Sequence, residues 1–370
     1  MIEMGQDSSR SRIGIGVIGC GTVAEAVHLP SLKEIPEAEI IAVVDIDGRR
    51  AKEVSEKFGA EYYTDYHMLL KRRDIDAVVV ALPNRLHVEP AVAAAEAGKH
   101  ILLQKPMATN LKDCDRMLEA ARSAGIKLIP IFMWRFRADV ELAKKLIDEG
   151  LIGEVFTLRG QFGHTGAYNM WFYDAEKSGG GALIDLGVHH VDILRWFAGD
   201  VRSVMAMTAI HKRRRKLPSG LELDDMSVED DAACLLRFKN DALGILVSSW
   251  TQKAGFQGFE VYGNQGTIIL DARVGELKLY SDKVIPERMR IRALPFGIDI
   301  SGPRLSFTMQ QLYTALPTPA IKAHRHFIEC LLGDKTPIAD GKDARAAVEI
   351  VEAGYESART GKEITLPLKY

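Results

Sequence analysis

Residues 13–24 read IGIGVIGCGTVA, and they decide the start of the fold of this 370-residue chain. The apolar run from Ile13 to Ile18 predicts a buried strand, and the pattern turns helical near Thr22. A strand that enters a helix through glycines is typical of the first βαβ unit of a doubly wound sheet. We therefore expect an α/β fold that begins with a parallel sheet.

The turn between this strand and helix has the pattern Gly-x-Gly-x-x-Ala. Gly19 permits a tight turn, Gly21 lets the backbone approach a pyrophosphate, and Ala24 allows the helix to pack closely on the strand. The exposed N–H groups at the start of the helix would then bind phosphate. Taken alone, the pattern fits a purely structural turn equally well.

A second apolar run, residues 40–44, ends at Asp45, where a βαβ unit presents an acid to the adenine ribose. A carboxylate accepts hydrogen bonds from ribose hydroxyls and repels a 2′-phosphate, so the sequence favours NAD over NADP. Arg49 and Arg50 argue for NADP, since an arginine just past the strand can pair with that phosphate. Asp45 could instead cap the helix that follows.

Composition is typical of a two-domain enzyme. The chain exceeds one typical domain in length, and its hydrophobic fraction of 47% can fill two cores. The formal net charge of −2 gives no overall positive field that would attract nucleic acid. The one basic run, residues 212–216, is balanced by acidic residues that follow it in the sequence. This run is expected to be a solvated loop.

The sequence has no apolar stretch near the roughly 18 residues of a membrane span, and residues 1–12 lack the apolar core of a signal peptide. We therefore expect no membrane partner and a cytoplasmic protein. The four cysteines form neither a disulfide framework nor a metal knuckle, so no metal is expected. They are Cys20, Cys114, Cys234 and Cys330.

Strand-like and helical runs alternate up to residue 134, at residues 77–81, 87–97, 100–103, 111–123 and 126–131. After a helix at 138–149, long strand-like runs dominate, at residues 155–162, 201–210, 232–238, 242–250 and 258–270, with hairpin turns at 239–241 and 263–266. We expect a dinucleotide-binding domain at 13–134. Residues 135–370 should form an α+β domain with a large, mostly antiparallel open sheet, although residues 284–317 are too irregular to assign.

The residues that could carry chemistry follow the fourth and fifth strands, at 81–87 and at Gln104-Lys105-Pro106. The carboxyl ends of parallel strands meet at the edge where open α/β sheets bind ligands. Lys105, directly beyond a buried strand, is therefore a candidate for handling a proton. It could also be an ordinary surface lysine before a loop proline.

A second candidate lies in GGGALIDLGVHH, residues 179–190, which leads into a helix over 182–197. Asp185 and His189 are four residues apart and should share a helix face. A neutral imidazole can accept a hydroxyl proton, while a carboxylate holds substrate hydroxyls and steadies the imidazolium. His190 and Asp192 should point elsewhere. A histidine–aspartate pair that only stabilises the helix fits the spacing too.

Together these motifs resemble the Gfo/Idh/MocA oxidoreductase family, and the resemblance continues through Ala323-His324 and Phe327 to Gly341-x-Asp343-Ala344. It implies a Rossmann domain for the first half and catalytic roles for Lys105, Asp185 and His189. The family usually has Glu-Lys-Pro where this chain has Gln104-Lys105-Pro106, which removes a negative charge beside the lysine.

The resemblance also implies two sets of binding residues. The cofactor-binding set is Gly19, Gly21, Thr22, Val23, Ala24, Asp45, Ile46, Leu82, Pro83, Asn84, His87, Gln104 and Lys105. The substrate-binding set is Lys105, Arg135, Trp171, Asp185 and His189. Arg135 could instead form an interdomain salt bridge, and Trp171 could be a core aromatic.

The implied activity is hydride transfer between C4 of a nicotinamide, NAD rather than NADP, and a secondary carbinol of a sugar, sugar derivative or cyclitol. The family's second-domain sheet commonly pairs, so a homodimer or homotetramer is expected. Two alternatives stay open at this point. One is an NAD-dependent glycosidase that oxidises its substrate transiently, and the other is a non-catalytic dinucleotide-binding regulator.

Overall fold

The first half of the chain forms a six-stranded parallel sheet in the computed structural model, which describes residues 12–217, 220–283, 304–308, 317–333 and 335–369. The strands are β1 (Ile13–Ile18), β2 (Ala38–Val44), β3 (Glu61–Tyr63), β4 (Ala77–Val80), β5 (His100–Leu103) and β6 (Leu128–Pro130). Their order is β3-β2-β1-β4-β5-β6. This order confirms the doubly wound parallel sheet.

The register of this sheet places the predicted ligand residues at one edge. Ile18 at the end of β1 pairs with Val44 on one side and with Val80 on the other. The residues that follow these strands therefore emerge together at the carboxyl edge, and the same holds for β5, whose Leu103 pairs with Val80. Loops at this edge are where such sheets bind ligands.

Helices cover both sides of the sheet and begin where their capping residues allow. They are α1 (Leu29–Lys33), α2 (Gly48–Phe58), α3 (Tyr66–Leu70), α4 (Val88–Glu96) and α5 (Leu111–Ala124). Asp47 caps α2 by accepting the N–H groups of Arg49 and Arg50. Asn110 caps α5 in the same way, and each of these two helices ends at a left-handed glycine.

The remaining strands belong to a second, nine-stranded sheet and a small hairpin. They are β7 (Val155–Gly163), β8 (Val201–Ala209), β9 (Arg215–Lys216), β10 (Glu222–Leu223), β11 (Asp231–Phe238), β12 (Leu243–Ser249), β13 (Gly258–Gly263), β14 (Gly266–Asp271), β15 (Glu276–Ser281), β16 (Arg304–Thr308) and β17 (Ile364–Thr365). The sheet order is β16-β15-β14-β13-β7-β12-β11-β8-β17, and β9 pairs only with β10. Within the described residues β7 and β12 run parallel and the other pairs are antiparallel. The predicted, mostly antiparallel open sheet is confirmed.

The described residues after 137 also form helices, three of which pack on this sheet. They are α6 (Ala138–Asp148), α7 (Ala175–Ser178), α8 (Val188–Ala198), α9 (Pro319–Leu332) and α10 (Gly341–Thr360). Helices α6, α8 and α10 contact the strands of the second sheet. Helix α9 instead returns to the first sheet, where Phe327 and Ile328 pack with Ile15 and Val17.

The structure bears on three expectations about individual elements. The hairpin turn predicted at 263–266 is confirmed, because Gly263 pairs with Gly266, and this turn divides the run at 258–270 into two strands, β13 and β14. Of residues 284–317, which the sequence left unassigned, 304–308 add the edge strand β16, and most of the rest lies outside the described residues. The hairpin turn at 239–241 is confirmed, with Asp241 at a φ of 66°.

The structure bears on the expectations about cysteines, metals and membranes. All four cysteines are free and buried. Burial raises the pKa of Cys20 to about 12, which leaves its thiol protonated. Within the described ranges, no cluster of three or more potential ligands could hold a metal ion. None of the helices described there is both long and apolar enough to cross a bilayer.

Candidate active site

Lys105 and Asp185 form the centre of the site. The Lys105 ammonium, at the carboxyl end of β5, donates to Asp185 Oδ1 at 2.8 Å and to the Asp185 carbonyl oxygen at 2.8 Å. Both side chains are largely buried, at 15% and 11% exposure. A buried ion pair of this kind keeps its geometry only when further hydrogen bonds satisfy the carboxylate.

Those further contacts come from two side chains of the second sheet and its loops. The indole Nε1–H of Trp250, just past β12, donates to Asp185 Oδ2 at 3.1 Å, and Trp250 is fully buried. The imidazole Nε2 of His164, just past β7, lies 3.9 Å from the same oxygen. The carboxylate therefore has one oxygen on the lysine and the other toward Trp250 and His164.

His189 lies against aromatic rings rather than against a carboxylate. Its imidazole stacks on the indole of Trp134, with the ring centroids 4.6 Å apart and 13° between the planes. Its Nδ1 is buried and has no hydrogen-bond partner among the described residues. Burial, and then the nearby Lys105 ammonium, hold the pKa of His189 well below its usual value, so the ring is neutral at pH 7.

The expected contact between Asp185 and His189 does not form, because each side chain has other partners. Leu183–Gly187 is a π-type turn, and α8 starts only at Val188. Asp185 binds Lys105 and Trp250, whereas His189 stacks on Trp134. The two residues thus belong to one site without a direct hydrogen bond between them.

The N-terminus of the helix that carries Asp185 is held by a buried carboxylate. Glu229 accepts the N–H groups of Gly181 and Leu183, each at 2.9 Å, and the hydroxyl of Tyr355 at 2.9 Å. A Cβ on Gly181 would overlap the Glu229 carbonyl oxygen, which explains the glycine. Burial raises the pKa of Glu229. These contacts fix the start of the helix that carries Asp185.

The glycine turn after β1 has the shape that a dinucleotide needs. Gly19 has a φ of 99°, and a Cβ there would collide with the Ala81 carbonyl oxygen. A Cβ on Gly21 would meet nothing within 4 Å, so the space above this residue is open to a pyrophosphate. Ala24 is fully buried and packs the helix on the strand.

Asp45 follows β2 directly, at the carboxyl edge of the first sheet. Its carboxylate accepts the backbone N–H groups of Cys20 and Asp47, both at 2.9 Å, and so joins the ends of β1 and β2. The helix is capped by Asp47 instead, which excludes the capping role for Asp45. Ile46 is 94% exposed, as suits an apolar contact with adenine, and the residues present therefore fit NAD. Arg50 lies 3.6 Å from Asp45.

Two residues of the cofactor-binding set have other tasks. His87 is completely buried, with Nε2 on the Leu82 carbonyl and Nδ1 on the Pro106 carbonyl, so it holds two loops together and cannot touch a cofactor. Asn84 is also buried and donates to the Ser178 carbonyl at 2.7 Å, which ties the first sheet to the loop before Asp185. Both act on the site through the loops they fix.

Arg135 is likewise not in the substrate cleft. Its guanidinium is 3% exposed and pairs with the buried carboxylate of Asp192, with the Ile338 carbonyl and, at 3.6 Å, with Asp343. The salt-bridge interpretation therefore describes it. Because Trp134 precedes Arg135, this pair also fixes the indole that stacks on His189. Asp192 points away from the site, as expected.

Trp171 and Gln104, two further residues of the predicted binding sets, contact residues next to them in the chain. Trp171 is half-buried and stacks on Phe172, with their centroids 3.8 Å apart. It lies in the loop that follows His164, without a recorded contact to Lys105 or Asp185. Gln104 is buried, and its side-chain oxygen accepts the backbone N–H of Lys105 at 3.2 Å. The amide thus takes over one hydrogen bond that an acid could make there.

The basic run at 212–216 is not simply a solvated loop. Its neighbours are exposed, but Arg215 is buried and pairs with the fully buried Asp230 at 2.7 Å. Its guanidinium also donates to the carbonyl oxygens of Thr165 and Trp250, each at 3.0 Å. Arg215 therefore holds Trp250 and Thr165, the residue after His164, through its pair with Asp230. Trp250 and His164 are the two side chains that lie near Asp185 Oδ2.

Sequence reasoning missed several residues that build this site. They are Trp134, His164 as a neighbour of Asp185, Arg215, Glu229, Asp230, Trp250 and Tyr355. Trp250 lies 65 residues from Asp185 in the chain, and Glu229 lies 46 residues from Leu183. No local spacing relates such residues.

Comparisons with known proteins agree with this geometry. Residues 13–132 match the family model described as "Oxidoreductase family, NAD-binding Rossmann fold", and residues 140–269 match the "GFO/IDH/MocA C-terminal domain". The myo-inositol 2-dehydrogenase of Thermotoga maritima is 32% identical over 260 residues, which cover 70% of this chain and 75% of that protein.

Two further proteins extend the comparison. The levoglucosan dehydrogenase of Pseudarthrobacter phenanthrenivorans is 29% identical over 288 residues, covering 70% of this chain and 73% of that protein. The crystal structure of the WlbA dehydrogenase from Bordetella pertussis, in complex with NADH and UDP-GlcNAcA, has a TM-score of 0.83 and 26% identity. It covers 97% of this chain and 99% of that chain.

Proposed function

Because the chain belongs to the Gfo/Idh/MocA family of NAD-binding oxidoreductases, we propose that it transfers a hydride between NAD and a secondary hydroxyl of a sugar, sugar derivative or cyclitol. The observation that carries this proposal is the ion pair of Lys105 and Asp185. It lies at the carboxyl edge of the first sheet, beside a neutral histidine. Such an edge is where the substrate must meet the dinucleotide.

Lys105 acts as the donor at the reacting oxygen. Its ammonium already donates twice to Asp185, which fixes its direction, and a third N–H can reach the substrate hydroxyl. As the C–H bond breaks, negative charge grows on that oxygen, and the ammonium stabilises it. Bound NAD supplies the acceptor for the hydride.

His189 takes the hydroxyl proton in this mechanism. Burial keeps the imidazole neutral, so a ring nitrogen is free to accept a proton at pH 7. Since Nδ1 is buried without a partner, Nε2 is the nitrogen that receives it. Stacking on Trp134 holds the ring in place, and the electron-rich indole face favours the imidazolium that forms. Asp185 binds a neighbouring hydroxyl of the substrate.

The same family and fold support further parts of the proposal. We divide the chain into a cofactor domain at 13–134 and a substrate domain at 135–370, whose helix α9 docks back on the first sheet. The enzyme works in the cytoplasm, where NAD is available and free buried cysteines are typical.

We also assign a homodimer or homotetramer, built through the second sheet. The face of this sheet opposite its helices exposes apolar side chains on adjacent strands, with Met205 paired opposite Leu235. Leu243 and Met207 extend the same surface, and Met207 is 74% exposed. Exposed apolar patches of this kind mark interaction surfaces. Light scattering coupled to gel filtration measures the subunit number.

Replacing the proposed proton-handling residues tests this function. In Lys105→Met and in His189→Ala, we expect turnover to fall about 10²-fold or more, because each change removes acid–base or oxyanion help. NAD affinity should stay nearly unchanged. The rate is measured as NADH formation, and NAD binding is measured by calorimetry. Lys112→Met, at an exposed position of α5, is the matched control.

The two variants also separate catalysis from stability. If both turn over the wild-type substrate at the normal rate, the catalytic assignment is wrong and the pair only stabilises the fold. If cofactor binding is lost together with activity, the residues belong to the cofactor site or to folding instead.

A further inference from the structure

His164 is a second histidine at the site, and its hydrogen bonds fix where its proton lies. The residue follows β7, and its Nδ1 accepts the backbone N–H of Gly166 at 3.1 Å. A neutral imidazole carries one proton, so an accepting Nδ1 places that proton on Nε2. His164 is therefore a donor at Nε2, whereas His189 is the acceptor of the site.

The Nε2–H of His164 has no hydrogen-bond acceptor among the described residues. It lies 3.9 Å from Asp185 Oδ2, beyond hydrogen-bond distance, and no other acceptor among the described residues binds it. The side chain is 42% exposed, so it borders the cleft rather than the core. Burial, together with the charges of Lys105 and Arg215, lowers the pKa of His164 despite the opposing Asp185. The ring thus stays neutral at pH 7.

A hydroxyl group satisfies both sides of this gap. Its oxygen accepts from His164 Nε2–H, and its hydrogen is donated to Asp185 Oδ2. The other oxygen of the same carboxylate, Oδ1, binds Lys105, where the reacting hydroxyl is held. Two adjacent substrate hydroxyls would therefore each face one oxygen of Asp185.

We propose that His164 is a substrate-binding residue that, together with Asp185, holds the hydroxyl next to the carbon that is oxidised. This inference rests on the proposed function and narrows it. The substrate is a vicinal diol with a free hydroxyl beside the reacting carbinol. An isolated secondary alcohol, or a sugar lacking that neighbouring hydroxyl, is a poor substrate.

Two conservative variants test the two ring nitrogens of His164 separately. In His164→Asn, the amide oxygen takes the place of Nδ1 and still accepts from Gly166, but nothing replaces the Nε2 donor. In His164→Gln, the amide reaches the Nε2 position and restores a donor. We expect kcat/KM to fall about tenfold or more in the Asn variant and to stay within a few fold in the Gln variant. NAD affinity and Tm should not change in the Asn variant.

Substrate analogues supply the second measurement. Wild-type enzyme and His164→Asn are assayed with myo-inositol, D-glucose and the singly deoxygenated counterparts of each. Removing the neighbouring hydroxyl should lower kcat/KM of the wild type, while the Asn variant should hardly distinguish the analogue from the parent. His67→Asn, an exposed histidine on α3, controls for the substitution itself.

The outcomes separate the inference from the proposed function. If the wild type oxidises polyols and His164→Asn is unaffected, the inference is overturned while the function stands. A loss in the Gln variant that equals or exceeds the loss in the Asn variant also overturns it, and a loss confined to the Gln variant would assign His164 to anchoring the loop through Gly166. If the wild type oxidises no polyol in either direction, the proposed function itself fails, and the inference with it.

Discussion

The carboxylate of Asp185 is shared by Lys105 and Trp250, and it organises this site. Asp185 binds Lys105 with one oxygen and Trp250 with the other, and its backbone carbonyl binds Lys105 again. Removing any one of these partners would leave a buried charge with fewer hydrogen bonds, which is costly in a site of low dielectric. The arrangement therefore holds the ammonium in place before the substrate arrives.

The lowered pKa of His189 predicts the shape of the pH–rate profile. An ordinary histidine base would lose activity below about pH 6.5, as it becomes protonated. Because burial holds the pKa of His189 well below that value, kcat/KM should show no acid inflection near pH 6.5 from this residue. Initial rates at pH 5 to 8 measure it, and an inflection near 6.5 that disappears in His189→Ala would contradict the assignment.

Cofactor preference should follow from Asp45. A 2′-phosphate beside this carboxylate would meet charge repulsion and desolvation, so NAD should bind more tightly than NADP. Arg50 lies close enough to offset part of this repulsion. In Asp45→Ser, the preference should weaken or reverse, and in Arg50→Ala it should strengthen. Calorimetric titration of both cofactors gives the ratio, and equal affinities in the wild type would show that Arg50 controls the pocket.

At the scale of elements, one buried arginine positions two loops of the site. Arg215 belongs to the small hairpin of β9 and β10, yet it donates to the carbonyls of Thr165 and Trp250 and pairs with Asp230. Trp250 in turn donates to Asp185, and Thr165 follows His164. The hairpin therefore supports the substrate side of the cleft without touching Lys105.

The basic run supplies its own control for this role. Arg215→Met breaks a buried ion pair and should lower the free energy of unfolding by about 3–5 kcal/mol and reduce kcat/KM. Arg213→Met removes an exposed partner of Asp225 and should change stability by less than about 1 kcal/mol. Urea unfolding and initial rates compare them. Equal, small effects in both variants would mean that the pair with Asp230 does not support the site.

The elements differ in how far their sequences determine them. Regular patterns identified β1, β2, β5, α5 and α6 to within a few residues, because each has one buried face or a fully buried run. The sequence did not predict the hairpin of β9 and β10, because strands of two residues are too short to show an alternating hydrophobic pattern. The π-turn at Leu183–Gly187 was not predicted either, because a helix with a wider turn keeps the same residue types. The partners that separate Asp185 from His189, Trp250 and Trp134, are remote in the sequence or on another element.

On the scale of the whole molecule, side chains from distant parts of the chain hold the two sheets together at the site. Asn84 binds the loop before Asp185, and Arg135 binds Asp192 on α8. Elsewhere, His28, which directly precedes α1, and His324 on α9 share a buried hydrogen bond of 2.9 Å. Such contacts are long-range, which is why the sequence placed Arg135 and Asn84 in the site but not their partners.

Buried histidines should make the protein sensitive to mild acid. Burial lowers the pKa of His324 to about 4, so the unfolded chain binds the proton first as pH falls below 6.5. This contribution to stability is complete above pH 6.5 and is lost progressively toward pH 4. From pH 7.5 to 5, wild type should lose about 2 kcal/mol more than His324→Gln, measured by urea unfolding. Equal losses in both proteins would refute the assignment.

The central claim is that this chain oxidises a polyol with net reduction of NAD. The most direct measurement is NADH absorbance during incubation of the protein with NAD and a panel of free sugars, sugar acids and cyclitols, with Lys105→Met in parallel. The account predicts stoichiometric NADH with at least one polyol, formed about 10²-fold or more slowly by the variant. NAD binding without NADH from any polyol, or glycoside cleavage without net NADH, would contradict it.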